Sequence, residues 1–238
     1  MCQRPSSKSD DSVAADESAV RSNGRDSDRT RFVALWERCL AGEPSAANEA
    51  YARLAELYGE PHRHYHTLAH VRHCLSEFDR VATLVDDPDA VEMALWFHDA
   101  IYAPGAADNE WRSAELFQQW SEGRAAPAFR RRVSDLILAT THRELPSRRD
   151  EQFIVDIDLS SFGLPWDAVE RGGRLIRAES ADVADDRYYP GHLRFLLVLQ
   201  SRPTFFFTDF FRQRYEQVAR ENIHRIIAEL HARGYGRV

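Results

Sequence analysis

The chain has 238 residues, 43% of them hydrophobic and 11% aromatic, enough apolar surface to close a sizeable core. Lys and Arg number 31 against 38 Asp and Glu, a formal charge of −7, which gives no overall electrostatic footprint for a nucleic-acid polymer or an anionic membrane. No apolar run approaches the roughly 18 residues of a membrane span, and the polar start MCQRPSSKSDDS lacks the apolar stretch of a signal peptide, so a cytoplasmic protein is expected.

Residues 1–30 are rich in Ser, Asp and Arg with almost no large apolar side chains, and are expected to form a disordered tail. Helical spacing begins at residue 31 with Phe32, Leu35, Trp36, Cys39 and Leu40, and stops at Gly42 and Pro44. A second helix is expected from about Ala46 to Tyr58. Beyond the HRHYH stretch, Leu68, Val71, Leu75, Phe78 and Val81 recur at three- and four-residue steps and predict a long amphipathic helix to about Val85. Asp86-Asp87-Pro88 breaks it. From Ala90 to Tyr102 the sequence is apolar nearly all round, the pattern of a central buried helix, and it ends at Pro104-Gly105. Further helical patterns run from about Asn109 to Trp120, Pro127 to Thr141, Asp150 to Phe162, Trp166 to Ala178, His192 to Leu199 and Phe210 to Ala232. No segment alternates at period two. The expected fold class is all-α, with residues 31–238 as one domain.

Cys2, Cys39 and Cys74 are odd in number and form no CxxC, so neither a disulfide framework nor a thiolate zinc site is signalled. The ten histidines are more informative. His98-Asp99 follows Trp96-Phe97 at the end of the apolar helix, where charge is costly without a partner. Taken alone, that pair favours a structural reading, either a hydrogen-bonded core histidine or an Asp near a helix end held by the next turn. His66 and His70, however, stand four apart where an amphipathic helix begins, and on a helix they share a face. Imidazole nitrogens and carboxylate oxygens are divalent-metal donors, so His70, His98 and Asp99 offer three. Asp156 and Asp158, embedded in the apolar run FIVDIDL, offer a fourth.

The order His70, His98-Asp99, Asp158 resembles the H…HD…D pattern of the HD superfamily of metal-dependent phosphohydrolases. YHTLAHV, LWFHDAIY, DNEWRSAELF, the ATTH segment, VDIDLSSFG and the late AREN segment together resemble a bacterial subfamily described as HD phosphohydrolases, from about Arg31 to Leu230. This resemblance implies an HD-type helical bundle in which His70, His98, Asp99 and Asp158 hold one or two divalent ions, Asp99 being the candidate bridge. Asp158 is preferred over Asp156 because the family's last Asp follows a small or apolar residue and opens an apolar turn; Asp156 would then accept from a ligand imidazole or cap a helix. Four protein ligands with open positions suit an octahedral ion such as Mg, Mn or Fe better than tetrahedral zinc.

YHxxxH also resembles the motif of cyclic-nucleotide phosphodiesterases, which implies His66 as proton donor to the leaving oxygen; the competing reading makes His66 a helix cap or a residue hydrogen-bonded to a neighbour. The resemblance places Glu110 where it orients the water, although Asn109 as N-cap with an acid in the first turn explains that segment locally. Arg112 suits bidentate phosphate contact, and His142 lies where HD proteins place an extra histidine, although a charged residue in the C-terminal turn of a helix, favourable to its dipole, explains it locally. Arg194, Arg202, Arg220 and Asn222 are read as structural. The expected activity is hydrolysis of a phosphate ester, of a nucleotide or a small phosphorylated metabolite, by metal-activated water, with Asp99, His66, Glu110 and His142 as the catalytic set. Rival readings are a di-iron HD-type oxygenase and a non-catalytic metal- or nucleotide-binding protein. The expected partner is the small substrate, with homo-oligomerisation left open.

Overall fold

The apolar stripes of the sequence close on one another as helices. The computed structural model describes residues 26–236, and every regular element among them is helical. Residues 26–39 belong to α1; α2 is Pro44–Leu57, α3 Leu68–Asp79, α4 Pro88–Phe97, α5 Asn109–Ser121, α6 Pro127–Ala139 and α7 Arg149–Leu159. A 3-10 turn, Ser160–Gly163, leads to α8 (Trp166–Glu179), α9 (Asp185–Ser201) and α10 (Asp209–Ala232).

The expected tail is shorter than composition suggests. Residues 26–30 are helical, and Asp28 is buried against Arg72, whose Nη2 lies 2.7 Å from its carboxylate. The rest of the expected tail, residues 1–25, lies outside the described residues. Phe32 of α1 packs edge-on against Trp96 at 5.4 Å between ring centroids, so α1 is part of the core.

At the centre is α4, started by Pro88 and by the Asp87 side chain, which accepts from the Ala90 amide. All its residues from Ala90 to Phe97 are buried except Glu92, which pairs with Arg31 at 2.7 Å. It packs on α3, α6 and α7, the arrangement that brings three distant sequence segments to one point. Two sequence-based boundaries move. The α3 helix ends at Asp79, the residues to Val85 forming turns, and α4 ends at Phe97 instead of continuing to Tyr102. The second change matters for the site, because it places His98 and Asp99 in the turn after the helix. On the far side, α10 lies against the 3-10 turn. Gly163 permits that approach: a Cβ there would stand 2.5 Å from Cβ of Tyr215.

Candidate metal centre

The first turn of α3 supplies His70. Thr67 caps that helix by accepting from the Ala69 amide, so His66 is not its cap; His66 is instead hydrogen-bonded to a neighbour, Glu179, at 2.6 Å. The end of α4 supplies His98 and Asp99, and the last turn of α7 supplies Asp158. Nε2 of His70 lies 3.2 Å from Nε2 of His98, 3.1 Å from Oδ1 of Asp158 and 3.6 Å from Oδ2 of Asp99. Nε2 of His98 is 3.1 Å from Oδ2 of Asp99 and 3.6 Å from Oδ1 of Asp158. The imidazoles are deeply buried, whereas the side chains of Asp99 and Asp158 keep 12% and 15% exposure, so the carboxylates form the solvent-facing edge.

These donors fit a divalent ion. Nδ1 of His98 donates to the carbonyl of Leu95 at 2.9 Å, so in its neutral form the ring would turn the lone pair of Nε2 into the cluster, where His70 and two carboxylates also converge. In that form acceptors face acceptors, an arrangement that a cation between them would satisfy. An ion about 2.1 Å from each donor separates neighbouring ligands by about 3.0 Å in an octahedron and about 3.4 Å in a tetrahedron, which brackets most of the spacings seen here. Burial alone raises the Asp99 carboxyl, but His98, His66 and His70 hold it below the usual range. Burial is likewise outweighed at Asp158, held well below by hydrogen bonds from His142, His70 and His98. Burial lowers His98, and Asp99 and Asp158 more than reverse it, so positive charge is favoured at this point.

A further donor was not legible from cysteine counting. Cys74, one turn after His70 on the same face of α3, is buried with Sγ 3.6 Å from Nε2 of His70. One ligand atom from each of His70, Cys74, His98 and Asp158 lies within 4.8 Å of the others, a group compatible with a metal ion. Burial, with Asp158 and Asp99 close by, pushes the thiol well above its ordinary value, so its proton would leave only in exchange for a metal.

Around this centre the sequence candidates separate. Nε2 of His142 lies 2.9 Å from Oδ2 of Asp158, and its backbone is in the left-handed region with φ 55°. His66 lies beside His70, with ring centroids 6.0 Å apart, and stacks on Tyr102 at 4.2 Å. Burial pushes the Glu110 carboxyl up, and the charges of Asp99 and Asp158 add to the effect. Arg112 is not brought in: it is exposed on α5, and its side chain makes no hydrogen bond or ion pair among the described residues. Glu110 and Arg112 stand two apart on a helix and point to different sides. Asn109 is not the N-cap of α5, a position taken by Asp108; its amide instead bridges the N–H and C=O of Ala103.

Asp156 and Asp158 part company as residues two apart on a helix must. Oδ1 of Asp156 accepts from the Phe207 amide at 2.8 Å, and Oδ2 accepts from the amide and the hydroxyl of Thr208, each at 2.7 Å. Burial pushes this carboxyl up to about 7 against those three donors. It ties α7 to the start of α10 and touches no ligand imidazole. Asp156→Ala leaves three buried donors unpaired and is expected to cost about 3 kcal/mol or more in urea unfolding while metal content stays unchanged. Loss of metal in that variant would contradict the division of roles.

Two further residues build the site and carried no motif. Arg63 has a fully buried side chain that donates to the carbonyls of Asp99 (2.6 Å), Ala100 (2.8 Å) and His66 (3.1 Å). Glu179, the last residue of α8, accepts from the amides of His64, Tyr65 and His66 and meets Nδ1 of His66 at 2.6 Å. A cavity of about 620 Å³, lined in part by Tyr65, Trp166, Tyr188 and His192, shares His70 with the cluster but none of the other four donors. Comparison with protein-family models, with curated proteins and with solved structures finds no match to this chain.

Proposed function

We propose that this chain is a metal-dependent phosphohydrolase acting on a phosphate ester of a nucleotide or small phosphorylated metabolite. The observation that carries the reading is the convergence of His70, His98, Asp99 and Asp158 at 3.1–3.6 Å, with the carboxylates its most exposed members. These four side chains would hold the ion, with Cys74 as a softer donor behind His70. A divalent ion there supplies charge neutralisation for a phosphoryl group and activation of water near neutral pH.

The chain's own residues provide the rest. Asp99 and Asp158 are ionised, and their exposed edge is the side from which an ester approaches. His142, hydrogen-bonded to Asp158, fixes the orientation of that carboxylate. Glu110, whose carboxyl is raised by burial and by its acidic neighbours, is the group suited to accept a proton from the attacking water. His66 has one nitrogen engaged by Glu179, which leaves Nε2 for the leaving oxygen.

The test pairs metal analysis of the purified protein with phosphate release from a nucleotide panel, with and without added Mn²⁺ or Mg²⁺. Bound metal, and release that disappears in Asp99→Ala with the helical fold kept, are the expected results. Metal without release from any ester would move the reading to a structural metal site, and iron with oxygen consumption would move it to an oxygenase.

A further inference from the structure

The buried carboxylate of Glu179 has no place in the motifs, yet it is among the most heavily bonded side chains here. Its Oε1 accepts from three successive amides, His64 at 2.9 Å, Tyr65 at 2.7 Å and His66 at 2.8 Å. Its Oε2 meets Nδ1 of His66 at 2.6 Å, and the side chain is 0% exposed. Three converging amides form a concave anion seat for Oε1, and besides His66 the carboxylate also has the Tyr102 hydroxyl as a neighbour. Gly172 helps to bring α8 close, since a Cβ there would already stand 3.2 Å from the Tyr65 ring. The Tyr102 ring stacks on His66 with centroids 4.2 Å apart, and the Tyr65 hydroxyl is tied to Ser161 at 3.0 Å. The ring of His66 is thus clamped on its Nδ1 edge and on its face.

We infer that Glu179 is the positioning residue for His66, locking its ring with Nδ1–H on the carboxylate so that Nε2 alone exchanges protons at the neighbouring metal centre. The inference rests on the phosphohydrolase reading and adds a residue to it. In the step concerned the bond between phosphorus and the leaving oxygen breaks, and its electron pair stays on that oxygen. The proton on Nε2 of the doubly protonated ring passes to the oxygen. The ring is left neutral, still donating Nδ1–H to Glu179. A carboxylate is suited to this because it accepts only, whichever way the proton moves on the far nitrogen.

Glu179→Ala empties the seat of three amides and is expected to disturb the loop, so the decisive variant is Glu179→Gln. Its amide oxygen still accepts from the backbone, while its NH₂ faces Nδ1 and forces the proton onto Nε2. Nitrogen-15 NMR of the full chain, with and without Mg²⁺, is expected to show the neutral His66 ring protonated on Nδ1 in the native protein and on Nε2 in Glu179→Gln. An unchanged tautomer overturns the inference. Kinetics of the metal-loaded protein with phenyl phosphate and p-nitrophenyl phosphate give the second readout. The phenolate leaves poorly without a proton, so Glu179→Gln is expected to lower kcat for phenyl phosphate about 10²- to 10⁴-fold with KM unchanged. The nitrophenyl ester loses much less, and His66→Ala adds nothing to Glu179→Gln. Equal losses on both esters mean a merely structural role and overturn the inference. If neither ester turns over with any ion, the phosphohydrolase reading falls and proton delivery with it, while the NMR result still decides whether Glu179 sets the tautomer.

Discussion

Replacing Asp158 by alanine is expected to strip the protein of bound metal while leaving the helical fold in place. Oδ1 of Asp158 stands 3.1 Å from His70 and 3.6 Å from His98, and Oδ2 stands 2.9 Å from His142. It therefore faces α3, the turn after α4 and the left-handed residue 142 together. Loss of a residue that only supports a ligand costs metal affinity about 10- to 100-fold, so loss of a carboxylate ligand is expected to exceed about 100-fold. The fold survives because α7 is held by Phe153, Ile154, Val155 and Ile157, all buried and none in the cluster. Calorimetric titration with Mn²⁺ or Zn²⁺ measures the affinity, and circular dichroism measures the helix. Undiminished affinity would remove Asp158 from the site. The comparison with Asp156→Ala is stringent, because carboxylates two residues apart are expected to give opposite results: metal lost with stability kept, and stability lost with metal kept.

How far the sequence reveals this arrangement depends on whether a residue's role is local or distant. The interior of α4 is legible because an uninterrupted apolar stretch has one physical outcome, burial. Convergence of His70, His98, Asp99 and one of Asp156 and Asp158 is suggested by residue type, since imidazoles and carboxylates set in apolar surroundings need partners, whereas the choice of Asp158 comes from the resemblance to the HD family. The end of α4 is not legible. Nothing within LWFHDAIY stops a helix at Phe97; the stop coincides with Arg63 taking the carbonyl of Asp99, a residue 36 positions further along the chain. Arg63 itself reads as one more charge in a polar stretch. Glu179 did carry a signal, for an acid in the last turn of a helix opposes the helix dipole, and such local conflicts mark residues recruited for another purpose. Cys74 carried one too, at the i+4 spacing from His70.

Arg63→Ala is expected to produce the largest loss of stability of any single substitution in the site. When α4 ends at Phe97, the carbonyls of Asp99 and Ala100 lose helical partners, and buried carbonyls cannot be left bare. Arg63 supplies both from one planar fork, with Nη1 also reaching the carbonyl of His66 at 3.1 Å and Nε reaching Glu60 at 3.0 Å. The guanidinium also lies 5.2 Å from the centre of the Tyr58 ring and 5.5 Å from that of Tyr102. The turn that carries His66 and the turn that carries Asp99 are therefore held together by one cation. Removing it leaves three acceptors unpaired and a cavity between two aromatic rings, a loss of about 3–5 kcal/mol. For a chain of this size that corresponds to a fall in Tm of roughly 6–20 °C. Arg63→Lys keeps the charge but not the fork, and one ammonium on a flexible stem cannot reproduce the planar pattern of donors. That variant is expected to fold with a smaller loss and to bind metal about 10- to 100-fold more weakly, because the Asp99 turn is no longer fixed against the His66 turn. Urea unfolding and metal titration on the two variants measure these effects. A cost under about 1 kcal/mol for Arg63→Ala, or full metal affinity in Arg63→Lys, would show that the two turns hold their places without the clasp.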